Sequence, residues 1–302
     1  MGISYGTKLA LTAMRDSAEG IRSVILDSSY PLDVDSYTTF LSRADRAFRV
    51  LFDNCIAHPA CNEAYPQLES TFFQLVEDLN QEPVTFPITH PITGENYDFL
   101  LDGDGLVEFL FRSLYRTSVL RFLPEIILDA RDGNYISPSR LQGSFLLELD
   151  LFSIGMHLSV QCGEEASFSS LKAVVASAKG HARLRQYSHT DQDPIFTICQ
   201  EWGAKRADSI ENEPVRSDIP TLVLAGEYDP ATPPEWGHLA AKNLSNSYTF
   251  EFAGIAHGAS VADECPLSVA LEFLDNPTSE PDAGCISEMR SPAFWSGFLS
   301  DR

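Results

Sequence analysis

The sequence predicts an α/β fold interrupted by a large, mostly helical insertion. Two observations predict it. Short apolar runs closed by turn residues stand near both ends of the chain, as buried parallel strands do. Between them the apolar residues recur every three or four positions, the period of amphipathic helices.

In chain order, Thr7 to Glu19 carries Leu9, Ala10, Ala13 and Met14 at helical spacing, and Gly20 supplies a stop. Val24, Ile25 and Leu26 follow as a short strand ended by Asp27 and Pro31. The middle region reads as helix in LESTFFQLVEDL, GDGLVEFLFRSLY and FSSLKAVVASAKGHARL, with PITHPITGEN as a proline- and glycine-rich interruption. After Pro220 comes a second strand, Thr221 to Ala225, closed by Gly226. A third, weaker one is Tyr248 to Phe252, stopped by Gly254. The α/β part is thus expected at residues 1–30 and 215–302, and the helical insertion at 31–214. No internal repeat appears.

The bulk properties set limits. Over 302 residues, 44% are hydrophobic, enough for a sizeable core, and no run is long and apolar enough to span a bilayer. A formal net charge of −22 argues against nucleic acid and anionic membrane as partners, because both repel an acidic surface. The cysteines are Cys55, Cys61, Cys162, Cys199, Cys265 and Cys285, with no C-x-x-C pair, so metal-ligand spacing is absent. Six cysteines suit either an exported, disulfide-bonded protein or six buried thiols, and sequence alone does not choose the pairing.

The chemistry-bearing motif lies at the start. Gly2-Ile3-Ser4-Tyr5-Gly6 is a G-x-S-x-G pattern followed by helical periodicity. Such a serine sits on a sharp strand-to-helix turn, and small flanking residues let strand and helix approach. It needs a base, and the base needs an orienting acid. Asp229 in GEYDPATPP follows the second strand, and His257 in AGIAHGAS follows the third. Each could be an ordinary turn residue. Together, in the order Ser, Asp, His and at the carboxyl ends of strands, they form a catalytic pattern. The other histidines fit less well: His58, His90, His157, His181 and His189 fall in the insertion, and His238 in a helical stretch.

GISYGTKLAL, GEYDPATPP and GIAHGAS resemble the proline iminopeptidase and tripeptidyl aminopeptidase-like (TAP-like) group of the α/β-hydrolase family. CIAHPAC resembles a cysteine loop near the start of that family's cap. CPLSVALEFLDNPTSEPDAGC resembles its closing helix. The resemblance implies an exported serine hydrolase of short peptides, amides or esters, working without metal or organic cofactor. Ser4 would be the nucleophile, His257 the base, Asp229 its orienting acid, and the Tyr5 backbone N–H an oxyanion donor. It also implies disulfides Cys55–Cys61, Cys162–Cys199 and Cys265–Cys285. Acidic cap residues bind the substrate amine in the family, which points here to Glu164 and Glu165, residues that could instead cap a helix or face solvent.

The family pattern is not fully matched. Only Met1 precedes Gly2, so the strand entering the elbow is expected to be missing, and no H-G-G-P-G-like loop for a second oxyanion donor occurs. The expectation is a partial α/β-hydrolase sheet, from the nucleophile elbow onward, with Val24–Asp27 as an exposed apolar edge. The missing half would lie in a longer parent or a separate polypeptide. An esterase or lipase-like hydrolase, and a non-catalytic fragment or binding module, are the alternative readings.

Overall fold

The structure is a computed structural model, and it describes residues 1–184 and 194–295. The chain opens with strand β1 (Gly2–Ile3), which turns directly into helix α1 (Tyr5–Asp16) and then strand β2 (Val24–Asp27). The entering strand expected to be absent is therefore present as two residues. It pairs in parallel with β2, Gly2 opposite Leu26 and Ile3 opposite Asp27. All four residues of β2 are buried. The expectation of an exposed β2 edge is thus corrected, because the backbone of Gly2 and Ile3 supplies a ladder on that side.

The insertion follows. Helices α2 (Phe40–Ala57), α3 (Pro59–Ala64) and α4 (Leu68–Gln81) lead to a hairpin, β3 (Val84–Thr89) and β4 (Asn96–Leu101). Then come α5 (Gly103–Ser113), α6 (Thr117–Leu120), α7 (Leu123–Arg131), α8 (Ile136–Leu151) and α9 (Ile154–Val160). A π-helical turn (Gln161–Glu165) and helices α10 (Leu171–Ser177) and α11 (Pro194–Trp202) complete it. The hairpin corrects the sequence reading of PITHPITGEN as a plain interruption. Phe86 and Ile88 point inward while Thr85 and Pro87 face out, the alternation of a half-buried strand. Pro87 is tolerated because this sheet has only two strands, each of them an edge.

The chain then returns to the parallel sheet through β5 (Thr221–Gly226), α12 (Pro234–Ala241) and β6 (Ser247–Phe252). It closes with α13 (Ala259–Ala262) and α14 (Glu264–Asp275). The sheet order is β1-β2-β5-β6, every pair parallel. Alternation along the strands builds two cores. Val24, Leu26 and Val223 meet Leu11 and Met14 of α1 on one face. Ile25, Leu222 and Leu224 meet Val269, Ala270 and Phe273 of α14 on the other. A third core fills the cap around Phe48, Phe52, Phe72, Leu110 and Phe145. Fully burying such a side chain contributes about 1.5–3 kcal/mol. This is a mixed α/β architecture with a parallel sheet, as the sequence predicts.

Disulfides join Cys55–Cys61, Cys162–Cys199 and Cys265–Cys285, the three pairs the resemblance implies. Three disulfides are typical of extracellular proteins. Among the described residues no single helix is long and apolar enough to cross a membrane.

The bridges close loops with sequence separations of 6, 37 and 20 residues. Loop entropy then gives stabilisations of about 2, 4 and 3 kcal/mol respectively. Paired Cys→Ser variants should lose thermal stability in the order Cys162/Cys199, Cys265/Cys285, Cys55/Cys61. Differential scanning calorimetry measures this order directly.

Candidate active site

Ser4 sits between β1 and α1 with φ 58° and ψ −126°, a conformation sparsely populated by non-glycine residues. Its N–H donates to the Asp27 carbonyl at 3.0 Å, fixing the turn against β2. Its own carbonyl accepts from the Thr7 N–H and the Thr7 hydroxyl. The two motif glycines are not equivalent. A Cβ on Gly2 would lie 2.2 Å from the Gly6 carbonyl oxygen, so only glycine lets the strand and helix come this close. A Cβ on Gly6 would meet nothing within 4 Å.

Asp229 lies in the turn after β5 and is wholly buried. Gly226 makes that turn possible, since a Cβ there would lie 2.0 Å from the Ala256 carbonyl oxygen. Asp229 Oδ1 accepts from the N–H groups of Ala231 and Thr232, each at 2.9 Å. Oδ2 accepts from the Thr232 hydroxyl at 2.8 Å and pairs with His257 Nδ1 at 2.8 Å. Burial alone would raise the Asp229 carboxyl. The charge of His257 and the hydrogen bonds from His257 and Thr232 outweigh burial and hold it below the usual carboxylate range.

His257 follows β6, with its ring beside Tyr115 at 5.2 Å between centroids. Burial favours the neutral imidazole, but the Asp229 charge and hydrogen bond, with a smaller effect from Asp27, raise its pKa above the ordinary 6.5. The histidine loop reaches the elbow: a Cβ on Gly258 would lie 3.7 Å from Ile3 Cγ2. Ser4, Asp229 and His257 thus occupy the ends of β1, β5 and β6 at one edge of the parallel sheet, with His257 and Asp229 in direct contact.

Residues 172–285 match a family model of the α/β hydrolases described as TAP-like protein. The matched segment contains β5, β6, Asp229 and His257. The match supports a TAP-like α/β-hydrolase assignment over this segment. No curated protein matches the chain. The fold agrees with the match in its parallel sheet and helical cover.

The cap meets the elbow through its π-helical turn. The Tyr5 hydroxyl donates to Glu164 Oε2 at 2.9 Å. Glu165 is buried, ion-paired with the buried Lys8 of α1, and accepts from the Tyr30 hydroxyl at 2.7 Å. The expected amine-binding pair is therefore split. The Glu165 carboxylate is already neutralised by Lys8, so it anchors the cap rather than offering charge to a cleft. Glu164 alone stands beside Tyr5, the residue after Ser4.

Several residues that the sequence reading passed over shape the site. Arg43 of α2 is buried and donates to the carbonyls of Ala231 and Ser36, gripping the Asp229 turn from the cap. Thr117 Oγ1 accepts from the Ala256 N–H just before His257. Lys8 interrupts an apolar helix face four residues after Ser4, a signal visible in the sequence. Among the histidines set aside, His58 caps α3 and His90 pairs with Asp150. His189 lies outside the described residues.

Two outcomes follow from this geometry. Gly2→Ala should markedly lower the melting temperature, whereas Gly6→Ala should leave it unchanged or slightly raised, because alanine favours helix. The second concerns pH. The paired imidazolium contributes stability that is fully present below the ordinary histidine range and is lost as pH rises through the raised folded value. The His257 imidazolium should therefore lose its proton with a midpoint above 6.5, the ordinary histidine value, as an NMR pH titration of the ring reads it. Asp229→Asn should lower that midpoint, because it removes the charge that holds it up.

Proposed function

We propose that this chain carries the catalytic triad of a serine hydrolase, with Ser4 as nucleophile, His257 as general base and Asp229 as its orienting acid. The observation that carries the reading is the 2.8 Å bond from His257 Nδ1 to the buried Asp229, beside an elbow serine held at φ 58°. With Nδ1 on the carboxylate, Nε2 is the nitrogen left for proton transfer. Ser4 Oγ attacks the substrate carbonyl carbon and passes its proton to His257. The Tyr5 backbone N–H steadies the resulting oxyanion. His257 then gives the proton to the departing amine or alkoxide as the acyl-enzyme forms. Water attacks next, losing a proton to His257, and Ser4 recovers its proton as the acid leaves. The step needs no metal or organic cofactor.

The substrate we propose is a short peptide with a free N-terminus. The support is Glu164, whose carboxylate is hydrogen-bonded to the side chain of Tyr5, the residue next to Ser4. A carboxylate there can pair with an α-ammonium group. Export to an oxidising compartment, extracellular or periplasmic, fits the three disulfides.

A fluorophosphonate probe should label the wild-type chain and fail on Ser4→Ala. Equal labelling of both would remove Ser4 as nucleophile. Glu164→Gln should raise KM for a free-amine peptide about tenfold, the equivalent of 1.4 kcal/mol, and leave an N-acetylated substrate unaffected. Equal turnover of free and acetylated peptides would favour an esterase-like enzyme instead.

A further inference from the structure

One residue holds both ends of the proposed proton path. Asp27 is the last residue of β2 and is wholly buried. Its backbone carbonyl accepts the Ser4 N–H at 3.0 Å. Its side chain turns to the histidine loop. Oδ1 accepts from the Ala259 N–H at 2.8 Å, and Oδ2 accepts from the Ser260 N–H at 2.9 Å and the Ser260 hydroxyl at 2.6 Å. Its neighbour Ser28 is also buried and left-handed at φ 56°, and Ser28 Oγ accepts from the Gly258 N–H at 2.8 Å. Three consecutive N–H groups after His257 are therefore taken up by two adjacent residues at the end of β2.

The Asp229 bond fixes the imidazole ring but not the backbone that carries it. A hydroxyl would suffice to cap the four-residue α13. A buried carboxylate instead costs several kcal/mol unless its oxygens are satisfied, and here they face only donors. We propose that Asp27 is a positioning residue, which locks the His257 backbone to the same strand end that fixes Ser4 and so sets the distance between base and nucleophile. The proposal rests on the reading of Ser4 and His257 given above.

The titratable and charged groups around the imidazole are Asp229 from the turn after β5, Asp27 from β2 and Tyr115 from the segment after α5. Arg43 of α2 faces both Asp229 and Tyr115. The Asp27 charge acts on His257 in the same direction as Asp229, favouring the imidazolium. Replacing it with a neutral amide should therefore lower the His257 midpoint as well as loosen the loop.

The test uses Asp27→Asn in the full chain, with p-nitrophenyl acetate kinetics and a ¹⁵N-histidine NMR titration of His257. The expected result is a fall in kcat of about ten- to a hundredfold, the scale of an ångström-sized misplacement of a reacting group. KM should be little changed, and the His257 midpoint should fall. An unchanged kcat with an unchanged midpoint would overturn the proposal, while loss of probe labelling in Ser4→Ala would still uphold the hydrolase reading. If the wild-type chain neither labels nor turns over, the hydrolase reading fails. Amide hydrogen exchange then decides Asp27 alone: faster exchange at Ala259 and Ser260 in Asp27→Asn upholds its role, and unchanged exchange overturns it. If Asp27→Asn does not fold, Ser28→Ala and Ser260→Ala carry the same two readouts. Each removes one hydrogen bond of the lock, and wild-type values in both would overturn the proposal.

Discussion

The parallel pairing of β2 with β1 on one side and β5 on the other is the constraint on which the rest depends. Parallel strands share one direction, so their carboxyl ends gather at one edge of the sheet. Ser4, Asp27, Asp229 and His257 all stand at that edge or one short loop beyond it. The two-residue β1 would be marginal alone. Its pairing with Leu26 and Asp27, the Ser4 N–H bond to Asp27 and the close contact of Gly2 with Gly6 hold it in place. The strained Ser4 conformation persists because these neighbours over-determine it.

Around this edge the protein buries charge, and each burial carries its own compensation. Asp229 has four partners, Asp27 has its three strong donors, Arg43 is spent on backbone carbonyls, and Lys8 meets Glu165. Removing one partner of such a buried pair typically costs about 3–5 kcal/mol, because a lone charge remains in a poorly solvated place. The same contacts join the two parts of the molecule. Lys8 lies on α1, the helix that follows Ser4, and Glu165 on the insertion, so the ion pair ties the two together. Arg43 and Thr117 do the same for the acid and histidine loops. A cap attached in this way is part of the site's framework as well as a cover over it.

The acidic surface and the disulfides describe the setting. The formal net charge is −22. The Cys162–Cys199 bridge anchors the π-helical turn that carries Glu164 and Glu165, placing a covalent tie next to the cap's contact with the elbow.

The sequence by itself determined what local pattern and chain order can encode. Short apolar runs marked β2, β5 and β6, helical periodicity marked α1, α4 and α5, and the order of Ser4, Asp229 and His257 singled out three residues among many of their kind. Two residues of strand are too few to show a period, so β1 was invisible until its pairing with β2 was seen. The hairpin β3–β4 was hidden by its prolines, which read as breakers unless the strand is known to be an edge. Only the tertiary structure decided how the two cap glutamates divide, because Lys8 is 157 residues from Glu165 along the chain. The same holds for Asp27, whose partners lie 232 and 233 residues away. Hydrogen bonds and ion pairs depend on distance in space, and at such separations the order of residues along the chain does not specify it.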